Sequence, residues 1–212
     1  MLRKYGWRML VTSVLTLLPI AAGLILWNRL PDEMATHWNA QGMADGFLPK
    51  GAAVFIMPVF MLAVHWICFA VTMADPGNRA QSSVLMRMIL YICPVTSIGC
   101  GVLMYMHGLG RAVDVIPVMQ MFLGVLFIIL GNYMPKCRYN HTIGIRLAWT
   151  LRDEDTWNRT HRLTGPVWVI GGFVMLCTAF LGVFWITLGV LLAGILVPVV
   201  YSCVYYHRKM EG

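Results

Sequence analysis

Long runs of apolar residues alternate with short polar stretches along this chain. Met9 to Trp27, Gly51 to Ala74, Met88 to Met106 and Val115 to Met134 contain no Asp, Glu, Lys or Arg. Gly165 to Tyr206 extends the pattern for 42 residues. One membrane crossing needs about 20 apolar residues, so the last run holds two helices, with a break expected near Gly182–Thr187. The pattern predicts six transmembrane helices. The runs are too long for the core helices of a soluble fold, and helical periodicity is uninformative where every face is apolar.

Composition agrees. The chain is 59% hydrophobic and 12% charged, against about 25% charged in soluble domains. The expected fold class is therefore all-α: a polytopic membrane protein with six transmembrane helices. Residues 1–134 would form a four-helix membrane region with a loop at 31–50. Residues 135–212 would carry a second loop, 135–164, followed by helices 5 and 6. The first apolar run follows MLRK, a fitting leader n-region, but is longer than a secretory core and lacks an A-x-A site. It is read as a retained anchor helix.

Basic residues set the orientation. With the N-terminus in the cytoplasm, thirteen of the sixteen Lys and Arg residues fall on the inner side, leaving Arg29, Lys50 and Arg111 outside. Both termini are thus expected in the cytoplasm, in the cell membrane, with loop 31–50 exported and loop 135–164 inside. The net charge of +7 then describes an inner face attracted to anionic membrane lipid, not a nucleic-acid site. None of the six cysteines lies in an exported loop, so no disulfide framework is expected. No CxxC or Cys/His metal spacing occurs.

Candidate chemistry concentrates in three places. The exported loop reads LPDEMATHWNAQGMADGFLPK, punctuated as turns by Pro31, Gly42, Gly46 and Pro49. Asp32, Glu33, His37, Asn39 and Asp45 are metal-ligand types, but their spacing matches no metal signature. A packed cap with Trp38 at the membrane interface is the simpler reading, and no metal or cofactor is expected. Within the spans, His65 is the intramembrane candidate, since an ionisable group there is a functional hypothesis by default. The competing reading is a neutral imidazole bonded to a backbone carbonyl or a threonine.

The third place is Pro135 to Gly165, PKCRYNHTIGIRLAWTLRDEDTWNRTHRLTG, with six of the sixteen basic residues and three of the nine acids. Thr150 reads as a helix N-cap, with Asp153, Glu154 and Asp155 in the first turn. Trp157 and His161, four apart, share a helix face. The composition predicts a short amphipathic helix on the inner membrane surface, between spans 4 and 5, that runs directly into the fifth span at Gly165.

This stretch resembles the signature of the SdpI family of bacterial immunity proteins. The resemblance rests on Asn140, Gly144, Ile145, Arg146, Trp149, Thr150 and Leu151, then Trp157, Thr160, His161 and Gly165. The exported loop is similar to a domain often found upstream in that family, through Pro31, His37, Trp38, Asn39, Gly42 and Asp45. The two motifs in this order cover most of the chain. One departure is Leu147-Ala148, where the family commonly has Thr-Pro, so the turn there can differ. The resemblance implies a six-helix inner-membrane protein that protects its producer from a secreted, membrane-active peptide or protein toxin. It also implies signal transduction by sequestering a cytoplasmic transcriptional repressor. Asn140, Gly144, Arg146, Trp149, Thr150, Trp157, Thr160 and His161 become candidates for toxin or partner binding. His37, Trp38, Asn39, Gly42 and Asp45 become candidates on the exported side.

Two other classes compete. A small membrane transporter would need a midplane site, for which His65 and a few amides are available. An interfacial enzyme acting on lipid or peptide would use His37, Asp45, His141 and His161 as acid/base groups. No nucleophile, base and orienting group stand together in the sequence, so the chain is not expected to be an enzyme.

Overall fold

The computed structural model describes residues 2–211. Among the described residues, six helices are long and apolar enough to cross a membrane: α1 (Leu2–Leu26), α2 (Lys50–Ala74), α3 (Ser83–Gly108), α4 (Val115–Tyr133), α5 (Glu154–Thr178) and α6 (Phe184–Glu211). The chain divides into two compact units. One takes the chain up to Met73 together with Met86–Val115; the other takes Ala74–Leu85 and everything from Ile116 onward.

In the first unit, α1 packs against α2 and α3 through close approaches and hydroxyl bonds. A Cβ at Gly23 would lie 2.5 Å from the Tyr105 hydroxyl and 2.7 Å from Val54, so only glycine fits there. The Tyr105 phenol donates to the Pro19 carbonyl at 2.7 Å, and the Ser97 hydroxyl donates to the Thr16 carbonyl at 2.8 Å. In hydrocarbon, such polar groups need partners inside the protein.

The loop after α1 is not a set of turns. It forms an antiparallel hairpin, β1 (Glu33–Trp38) and β2 (Ala44–Pro49), that pairs Met34 with Leu48 and Trp38 with Ala44. The register slips on both sides of His37, which conceals the period-2 alternation of a regular strand. Met34 and Ala35 are buried; Met34 joins a cluster with Leu30, Ala53, Val54, Met104 and Tyr105. The hairpin is thereby seated on the adjoining helix ends.

In the second unit, α5 and α6 form the main helix pair. The Trp168 indole donates to the Gly194 carbonyl at 2.9 Å and stacks on Phe127 of α4 at 5.0 Å. The turn between α5 and α6 ends at Gly182, with φ +62°. That left-handed value favours glycine, and it places the helix break within the expected window.

The helix expected after the polar loop runs directly into the fifth span, as the sequence predicts. α5 begins at Glu154 and runs unbroken through Gly165 and Pro166 to Thr178. Its N-cap is Asp153, whose carboxylate accepts from the Thr156 N–H at 2.9 Å and the Thr156 hydroxyl at 2.5 Å. The Thr150 hydroxyl is committed elsewhere: it donates to the Ile145 carbonyl at 2.8 Å and accepts from the Leu147 N–H at 2.9 Å. Thr150 therefore closes a turn of the loop.

Candidate functional site: a folded polar loop at the start of α5

The polar stretch between α4 and α5 has almost no regular secondary structure, yet its backbone groups are well partnered. Asn140 is its hub. Its Oδ1 accepts from the N–H groups of Thr142 (2.8 Å) and Ile143 (2.6 Å), and its Nδ2 donates to the carbonyls of Arg138 (2.8 Å) and Ile143 (3.0 Å). Asn140 is 1% exposed, so replacing its amide would strand several buried groups.

Trp157 and His161 lie one helical turn apart on α5 and stack at 4.0 Å between ring centroids. Trp157 is fully buried; its indole donates to the Cys137 carbonyl at 3.1 Å, and the Tyr139 ring meets it edge-on at 5.5 Å. His161 Nδ1 faces the Trp157 carbonyl at 2.9 Å, while Nε2 receives the Ile145 N–H at 3.0 Å. A carbonyl can only accept and an N–H can only donate. These partners assign the neutral tautomer, with the proton on Nδ1.

Gly144, with φ +109°, sits directly over this contact; a Cβ there would overlap His161 Nε2. The Trp149 indole donates to the Ser202 hydroxyl of α6 at 2.9 Å. Thr160 is buried but bonds back to the Thr156 carbonyl of its own helix at 2.6 Å. Arg146 is exposed and donates to the His141 carbonyl at 3.2 Å. The loop thus brings Asn140, Gly144, Trp157 and His161 into one packed assembly, ties Trp149 to α6, and leaves Arg146 at the surface.

Sequence reasoning missed the segment that clamps this loop. After α2, Asp75 accepts from the Gly77 N–H (2.9 Å), the His141 N–H (2.7 Å) and the Thr142 hydroxyl (3.1 Å). Burial pushes the Asp75 carboxyl up, but those two N–H groups and the hydroxyl outweigh it and hold it below the ordinary value. Asn78 donates to the Thr142 hydroxyl at 2.5 Å. Gln81 brackets Arg138, donating to its carbonyl at 2.6 Å and accepting from its N–H at 3.1 Å. The only local signal was a turn-forming Asp-Pro-Gly-Asn run.

A latch joins the start of α5 to the end of α6. Lys209 reaches Asp153 at 2.9 Å and Asp155 at 3.5 Å, and the Tyr205 hydroxyl donates to Asp155 at 2.6 Å. The Thr156 hydroxyl, then the Lys209 ammonium and the Thr156 N–H, hold the Asp153 carboxyl down to about 2 against the opposing effect of burial. Cys137 behaves oppositely: burial pushes its thiol up to about 11 despite the Asn140 amide nearby, so it is a packing group and not a nucleophile.

The remaining candidates lie in the first unit. His37 Nδ1 pairs with Asp45 across the hairpin at 2.5 Å, both side chains being solvent-exposed. Asn39 closes the hairpin turn, its Oδ1 accepting from the N–H groups of Gln41 and Met43, both at 3.0 Å, and Gly42 has φ +77°. Trp38 packs edge-on against His107 at 5.7 Å. His65 is 2% exposed and meets the Thr12 hydroxyl at 2.8 Å. It lines a small cleft with Tyr5, Cys68, Phe69, Thr72 and Met86.

Comparison with known proteins places these features. The SdpI/YfhL protein family matches residues 136–202, the polar loop with α5 and most of α6. Over those residues this chain is similar to that family. A domain of unknown function, DUF1648, matches residues 14–62, which include the hairpin. The immunity protein SdpI of Bacillus subtilis (strain 168) is 27% identical over 209 residues, covering 96% of this chain and 97% of the relative. No solved structure matches.

Proposed function

We propose that this chain is an integral membrane immunity protein that protects its cell from a secreted, membrane-active toxin. The observation that carries the reading is similarity to a curated immunity protein along nearly the full length of both chains. The geometry supports it. Asn140, Gly144, Trp157 and His161 of the family motif build the interior of a folded loop whose surface displays Arg146 and His141. Such a loop is suited to recognition.

In this reading both termini are cytoplasmic. Three spans separate the hairpin from the polar loop, so the two face opposite sides of the membrane. The hairpin, with His37 and Asp45 exposed, meets the toxin outside. The polar loop meets a soluble cytoplasmic partner, a transcriptional repressor held at the membrane when toxin is present.

Survival of a toxin-sensitive cell tests the first role: expression of the chain rescues growth, and unaltered killing contradicts it. Partition of a candidate repressor between membrane and soluble fractions, with and without toxin, tests the second. A repressor that stays soluble under both conditions removes it.

A further inference from the structure

Beyond that reading, we infer that Arg79, Arg138 and Arg146 form a binding site for the phosphate headgroup of an anionic phospholipid. The three positions converge through the clamp around Asp75. Arg79 lies between Asn78, which bonds Thr142, and Gln81, which brackets the backbone of Arg138. Arg146 donates to the carbonyl of His141, whose N–H is held by Asp75. All three arginine side chains are exposed.

The carboxylate of the clamp does not pair with them. Asp75 is 8% exposed, and its oxygens are taken by two N–H groups and a hydroxyl. Of the acids at the α5 start, Asp153 is engaged by Thr156 and Lys209 and Asp155 by Tyr205 and Arg159, while Glu154 is exposed. Among the described residues, Arg79, Arg138 and Arg146 make no ion pair. Three exposed guanidinium groups and one buried carboxylate on these segments leave an excess of two positive charges.

The site also lies at headgroup level. Arg79 sits between the end of α2 and the start of α3, and Arg138 follows closely on α4. Tyr133, under the Lys136 ammonium at 4.6 Å, marks the same end of α4 with the aromatic and basic pairing of a membrane interface. Guanidinium groups bind phosphate oxygens bidentately, and an anionic lipid is the phosphate source present at that depth.

The test is lipid retention by the purified full-length chain, reconstituted in phosphatidylcholine with a minor fraction of phosphatidylglycerol. Mass spectrometry after detergent extraction gives the ratio of the two lipids that remain bound. Phosphatidylglycerol is expected to be enriched, and the enrichment to fall roughly tenfold when all three arginines become glutamine. The triple lysine variant should keep part of it, and added salt should erode it in the wild type. Equal retention by wild-type and glutamine proteins overturns the proposal. If the glutamine protein does not fold, enrichment in the wild type that ignores salt overturns it instead. Displacement of the lipid by inorganic phosphate, beyond that caused by chloride of equal ionic strength, also overturns it and assigns the site to free phosphate.

Discussion

The backbone N–H of Ile145 donates to Nε2 of His161 at 3.0 Å, linking the polar loop to the second turn of α5. Because Nδ1 already faces the Trp157 carbonyl, the imidazole fits only as the neutral Nδ1–H form. A protonated ring would turn a second N–H toward the Ile145 N–H and break the link.

His161→Ala should therefore strand a buried backbone donor and remove the stacking partner of Trp157. An unmet donor costs about 1–3 kcal/mol, so amide exchange at Ile145 should quicken about tenfold or more if local opening controls it. Hydrogen exchange with peptide-level mass spectrometry reads this directly. Unchanged protection at Ile145 would show that the contact does not hold the loop.

Gly144→Ala tests the same contact from the other side. The residue combines φ +109° with a Cβ position that collides with the His161 ring. Backbone strain of this kind costs on the order of 1–3 kcal/mol, and the ring must move as well. The expected result is a lower thermal midpoint and an altered near-ultraviolet dichroism from Trp157. A spectrum and midpoint matching wild type would contradict the packing described.

Asp153 gives a pH-dependent prediction. Its carboxyl is held down to about 2 in the folded chain, below the ordinary value of about 3.9. A depressed folded value contributes stability that is present above the ordinary value and is lost as pH falls toward 2. Carbon-detected titration should place the Asp153 midpoint near 2, and Lys209→Ala should raise it. A midpoint near 4 in the wild type would mean that neither the cap nor the latch forms. Separately, Asp153→Ala should cost about 1 kcal/mol through loss of the N-cap.

Cys137 should resist alkylation. Its thiol is 3% exposed and pushed up to about 11. A maleimide at neutral pH should label it only after denaturation, as read by peptide mapping. Asn140→Ala, by opening the loop, should expose it. Rapid labelling of Cys137 in the native wild type would contradict the burial.

The spans were legible because uncharged runs of membrane length have few other uses, and Gly182 marked the last break. The hairpin was not: its register slips around His37, and its punctuating glycines read equally well as turns. The α5 cap was misplaced because Thr150 and Asp153 are both good capping residues, and only the turn back to Ile145 and Leu147 decides between them. Asp75, Asn78 and Gln81 were invisible because their bonds reach more than fifty residues along the chain. Trp157 and His161 stood out in the family motif, but their burial as loop-organising groups appears only once α5 and the loop are packed together.

The central claim is that this chain confers immunity through the loop that His161 organises. The most direct measurement is survival of a toxin-sensitive cell expressing the wild-type chain, Trp157→Ala or His161→Ala, with membrane abundance matched by quantitative blotting. The account predicts rescue by the wild type and loss of rescue in both variants. Full rescue by both variants at equal abundance would contradict it.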